Sequence, residues 1–126
     1  MLTPNDFRRI ALQMSDAIEG AHMNHPDFRA NGRIFATLYP DGERGMVKLT
    51  PEQQRLFMRQ HPSTFSPASG AWGRGGSTTV LLALVNEDKL GEAMTLAWQN
   101  TVKAAAQTKL KRAAKPAKRS RQARKQ

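Results

Sequence analysis

The chain predicts an α+β fold of two layers: an antiparallel sheet with helices packed on one face. Three observations lead there. Helical periodicity is confined to three separated stretches. Between the first two lie short extended segments divided by turn dipeptides. Strands and helices do not alternate one for one; their order is one helix, three or four strands, a helix, one or two strands, and a helix.

Each element has its own warrant. Thr3 can cap a helix whose first residue is Pro4, where a missing N–H costs nothing. Phe7, Ile10, Ala11, Met14 and Ile18 recur at steps of three and four, so the helix is expected over about 4–17, with Gly20 as the break. "GAHM" (20–23), "DFRA" (27–30) and "RIFATLY" (33–39) read as extended. Asn31-Gly32 tolerates the positive φ of a type I′ turn and closes a hairpin. "PDGERG" (40–45) turns the chain into "MVKLT", where Met46, Lys48 and Thr50 share one face and Val47 and Leu49 the other. Thr50, Pro51 and Gln53 start a second helix, which His61-Pro62 stops. The stretch 61–78 reads as loop, with Trp72 in its middle. "TTVLLALV" (78–85) reads as a central strand covered on both faces. Asn86 caps the last helix, whose apolar stripe includes Leu90, Ala93, Met94, Ala97 and Trp98.

Composition limits the function classes. The chain has 126 residues and 39% apolar content, which fits one small core. No apolar run approaches the roughly 18 residues of a membrane span. The start lacks a signal peptide's basic-then-apolar order, so a cytoplasmic protein, bacterial in style, is expected. With no cysteine, disulfides, thiolate nucleophiles and cysteine zinc sites are excluded. Net charge is +10 but unevenly placed. Nine of the 20 basic residues lie between Lys109 and Gln126, where there is no acid. Residues 1–108 hold the other 11 against all 10 acids, a net of +1. Two parts follow: a near-neutral α+β domain over 1–108, and a basic tail over 109–126. Disorder is expected in the tail, with the last helix reaching no further than Ala114.

"HPDFR" (25–29), "IFATL" (34–38), "VKLTPEQQ" (47–54) and "AWGR" (71–74) together resemble the MmcQ/YjbR-like family of small bacterial proteins. The resemblance covers about residues 4–103. It implies a two-layer α+β fold similar to secretion-chaperone-like domains. It also implies a DNA-binding role through a double wing of protruding loops. The basic tail departs from the family pattern and is similar to the tails of chromatin proteins.

Several sites compete. Glu19, His22, His25 and Asp27 offer metal ligands or a hydrolase, with His61 elsewhere. Residues three apart on a strand take opposite faces, so His22 and His25 converge only across a bend. A catalytic zinc needs three convergent ligands, so neither metal nor cofactor is expected. The competing structural reading has His22 half-buried and bonded to backbone. Ser63, Ser66 and Ser69 lie outside any nucleophile elbow. "GRGG" (73–76) leads into a strand, not into the helix that a phosphate loop needs, and reads as a flexible hairpin tip or a bulge. Trp72 either packs beneath its loop or stacks on a base; Trp98 reads as core.

The first functional expectation is non-enzymatic, largely sequence-independent DNA binding, with RNA as an alternative polyanion and nucleoid association in the cell. Arg44 and Arg74 would sit at the tips of loops 39–45 and 73–77, and Arg29, Arg33 and Lys48 would add charge from the sheet. Lys109, Lys111, Arg112, Lys115, Lys118, Arg119, Arg121, Arg124 and Lys125 would supply most of the affinity. The second expectation is a protein-interaction or chaperone-like module, a monomer or weak homodimer, whose tail only solubilises or associates with RNA.

Overall fold

The computed structural model describes residues 1–123, with side chains as far as Lys111. The tail side chains Arg112, Lys115, Lys118, Arg119 and Arg121, and all of Arg124 and Lys125, lie outside the described residues.

Helix α1 (Pro4–Leu12) opens on a reciprocal capping box. The Asp6 amide donates to Thr3 Oγ1 at 3.2 Å, and the Thr3 amide donates to Asp6 Oδ2 at 2.8 Å. Phe7, Ile10 and Ala11 form its buried face. It ends before the expected residue 17, because polar Gln13, Ser15 and Asp16 add nothing to that face. Asp16 then turns the chain at φ 59°. Ile18, expected on the helix, instead begins a strand and is 62% exposed.

Strands β1 (Ile18–His22), β2 (His25–Ala30), β3 (Arg33–Leu38) and β4 (Arg44–Lys48) form an antiparallel meander. Asn31 and Gly32 close β2 to β3 at φ 54° and 77°, as their side chains predict. Met23 and Asn24 close β1 to β2 at φ 49° and 68°, a turn that a methionine does not advertise. Helix α2 (Pro51–Gln60) starts on the expected Thr50–Gln53 capping box. Then come β5 (Phe65–Pro67), a short helix α3 (Gly70–Arg74), β6 (Ser77–Leu81) and α4 (Glu87–Ala123), which the Asn86 side chain caps through the Lys89 amide at 2.7 Å.

The six strands order as β1-β2-β3-β4-β6-β5. Helices α1, α2 and α4 lie on one face. Phe28, Phe35, Leu38, Val47 and Val80 meet Phe7, Leu90, Met94 and Ala97 there, all buried. Phe7 and Phe28 pack at 5.9 Å between ring centroids, and Phe57 and Phe65 at 5.2 Å. Gly45 is required because a Cβ there would collide with the Phe7 ring.

Two expectations need correction. Strand β6 lies inside the sheet between β4 and β5, with Ser77–Val80 buried on both faces as expected, but it stops at Leu81 rather than running to Val85. The apolar run outlasts it because residues 82–85 turn, their amides bonding to Glu43 and Leu81 carbonyls, and Leu82 and Val85 drop into the core. The glycine-rich stretch before β6 is not a hairpin tip. It contains α3, whose Gly73 lies hard against the Ala68 backbone, leaving no room for a side chain.

Helix α4 shows no break at residue 108 and passes Ala114, in keeping with the helix propensity of Ala, Lys, Arg and Gln. No helix among the described residues is long and apolar enough to cross a membrane.

Candidate functional site on the open sheet face

Side-chain alternation sends every second residue of each strand away from the helices. On the open face the pairing registers align His22 with His25, Gly20 with Asp27, Thr37 with Met46, and Lys48 with Ser77. The face is polar at its edges and apolar in the middle.

Asp27 anchors one edge. It is fully buried, and a buried carboxylate persists only with partners. Arg29 Nε donates to its Oδ1 at 2.7 Å and Arg29 Nη2 to its Oδ2 at 3.0 Å. His22 Nδ1 lies 2.7 Å from Oδ2. The Arg29 hydrogen bonds outweigh burial, with help from His22, and hold the carboxyl below the usual aspartate range. Gly20 makes room for the triad: its Cβ would fall 3.0 Å from Asp27 Oδ1.

The two-residue turn at Met23-Asn24 corrects the expectation for the histidines. Being directly paired, His22 and His25 share one face, with ring centroids 4.5 Å apart. His22 bonds a carboxylate rather than backbone. His25 Nδ1 is buried without a hydrogen-bond partner. Among the described residues no three His, Asp or Glu side chains gather as a metal site.

Across the open face from the histidines, and lining one depression with them, stand Lys48 and Trp72. Trp72, on α3, is neither loop-borne nor packed beneath a loop; it is 66% exposed. Lys48 Nζ lies 5.3 Å from the Trp72 ring centroid. Partial burial, and then the neighbouring charge of Arg33, push its pKa down.

Of the five sheet and loop cations expected from sequence, three converge. Arg29, Arg33 and Lys48 line one groove of about 510 Å³, together with Asn100 and Ala104 of α4. Arg33, on the helix side of the sheet, donates to Thr108 Oγ1 of α4 at 2.8 Å. It also lines an adjoining groove of about 670 Å³ with Lys109. Arg29 is already neutralised by Asp27. Arg44 stands apart, paired with Asp41 at 2.7 Å and lying 4.7 Å from the centroid of the Tyr39 ring. Arg74 closes α3, exposed and outside both grooves. Lys109 and Lys111 are exposed on α4.

Sequence reasoning misses the partnership of Asp27 with His22 and Arg29. The i, i+2 spacing of Asp27 and Arg29 along a strand is its one visible sign. It also misses the Thr108 contact that ties Arg33 to α4.

No curated protein matches the chain. Among solved structures, it is similar to the crystal structure of Deinococcus radiodurans protein DR2400, which carries the family domain DUF419. The two superpose with a TM-score of 0.65 at 21% identity, over 78% of this chain and 77% of the other, a likeness of fold. The family model YjbR matches residues 12–100, from the end of α1 through the buried part of α4. That span contains all six strands and the whole open face, and the chain accordingly belongs to the YjbR family.

Proposed function

We propose that this YjbR-family protein binds nucleic acid, duplex DNA first, through phosphate contacts without sequence preference and without catalysis. A cytoplasmic, nucleoid-associated setting fits that role. The observation that carries the reading is the shared groove of Arg33 and Lys48 beside α4. Neither cation has a carboxylate partner among the described residues, and Arg33 adjoins Lys109, where the run of nine cations begins. A polyanion lying along α4 could meet the groove and the tail together. Arg29 and Arg44 contribute less, because Asp27 and Asp41 already hold them.

Each cation placed at a phosphate releases counterions and steepens the salt dependence by about 0.9 in log–log slope. With about half the tail engaged, the tail supplies a slope of roughly −4, and Arg33 and Lys48 add about −2. Mobility shifts on a random duplex at increasing salt test this. Arg33→Ala/Lys48→Ala should flatten the slope by about 2, and truncation after Thr108 by about 4. Binding that ignores salt, or survives both changes intact, overturns the proposal. The same assay on duplex RNA decides between the two polyanions.

A second reading, docking of a protein or a second copy of this chain, draws support from β1. It is an open sheet edge, with Ile18 62% and the turn residue Met23 85% exposed. Sedimentation that stays monomeric at high concentration would remove its self-association form.

A further inference from the structure

We propose that the depression between the histidine pair and Trp72 is a binding site for a single-ring aromatic carboxylate with a hydrogen-bonding substituent opposite its carboxylate. This site does not depend on nucleic-acid binding.

Size limits the ligand first. The depression holds about 160 Å³, bounded by His22, His25, Ile34, Thr37, Tyr39, Met46, Lys48 and Trp72. Cavities near 150 Å³ accommodate one benzene ring. Strand order then fixes the polarity. Thr37 and Met46, a cross-strand pair on the middle strands β3 and β4, lie at the centre with Ile34. The histidines, on β1 and β2, stand to one side, and Lys48 and Trp72 to the other.

Each end lacks something a ligand would supply. Lys48 is a half-buried cation with no ion-pair partner among the described residues, and a carboxylate would offset its lost hydration. At the other end, His25 Nδ1 is buried and unpaired, a costly state that a turn of the ring toward a ligand hydroxyl would relieve. His22 cannot serve through its own Nδ1, because Asp27 occupies it. Between the ends, apolar side chains and the exposed Trp72 ring suit an aromatic body. A phosphate would meet one cation and an apolar floor. A neutral ring would leave Lys48 desolvated and unpaired.

The test uses the full chain and no nucleic acid. 4-Hydroxybenzoate is titrated by calorimetry and by ¹H–¹⁵N spectra of the tryptophan indoles. Trp98, whose Nε1 donates to the Ser15 carbonyl at 3.0 Å and which does not line the depression, serves as the internal reference. Trp72 should shift and Trp98 stay still, with a dissociation constant below about 1 mM. Benzoate should bind more weakly, 4-hydroxybenzamide more weakly again, and inorganic phosphate should leave Trp72 unmoved. Lys48→Met should weaken 4-hydroxybenzoate at least about tenfold and erase its advantage over the amide. His25→Phe should erase the preference for the hydroxyl while benzoate still binds. No Trp72 shift at about 10 mM ligand, well above that affinity range, overturns the site. An equal response to phosphate, or an unchanged affinity in Lys48→Met, overturns it as well.

Discussion

The helix-covered and open faces of the sheet are alternate residues of the same strands, and they are stabilised in different ways. On the covered face Phe28, Phe35, Val47 and Val80 are removed from water entirely, each contributing by area alone. On the open face Asp27 is equally buried but is held by two partners whose side chains are each about a third exposed, Arg29 at 35% and His22 at 38%. Apolar burial is non-directional, so it tolerates exchange among side chains of similar volume. The Asp27 arrangement depends on particular atoms at particular distances. The covered face therefore supplies most of the stability, and the open face supplies geometry that a ligand can read.

The largest expected effect belongs to the covered face. Phe35→Ala should cost about 3–5 kcal/mol in urea unfolding, through lost transfer energy and the cavity left among the helices. Asp27→Asn keeps the volume and removes the charge. Because Arg29 and His22 can still reach water, it should cost less, about 1–2 kcal/mol. A cost equal to that of Phe35→Ala would break the distinction between the faces.

Acid sharpens it. The Asp27 carboxyl titrates below its unfolded value of about 3.9, so its contribution is complete above that value and fades as pH falls through the lower, folded value. The stability gap between the native protein and Asp27→Asn should thus narrow below about pH 4. A gap that widens on acidification would reverse the assigned direction. The smallest effect is expected from Trp72→Ala, below about 1 kcal/mol, since the ring is 66% exposed and its main contact is Lys48. A larger loss in thermal unfolding would make Trp72 a structural residue rather than a wall of an open site.

The covered face was the more legible in sequence, because it obeys periods. The stripe through Phe7 and Ile10, the alternation around Val47, and the capping residues Thr3, Thr50 and Asn86 all declare themselves locally. Periods also misled where chain geometry changed unannounced. Ile18 continued the helical spacing of α1, yet Asp16 had already turned the chain. The β1–β2 turn places Met23 at positive φ, a residue that carries no turn signature, so the histidines read as opposed rather than paired. The triad on Asp27 escaped for a related reason: His22 reaches it only through that turn. Short α3 hid in a glycine-rich stretch because Gly73 and Gly76 serve a close backbone approach, not flexibility. Arg33 could not be assigned a face, because the pairing of β2 with β3 slips beside it.

That slip has a consequence for the whole molecule. Phe28 pairs with Ala36 but Arg29 pairs with Ile34, so Phe35 is a supernumerary residue in β3. It resets the strand's parity, letting Arg33 reach α4 while Thr37 faces outward in step with Met46. Were Phe35 paired in a regular ladder instead of bulged, the two halves of the strand would fall out of phase: either Arg33 leaves Thr108 or Thr37 exchanges places with the core. The bulge that absorbs Phe35 thus lets a single strand serve both the groove beside α4 and the depression on the far side.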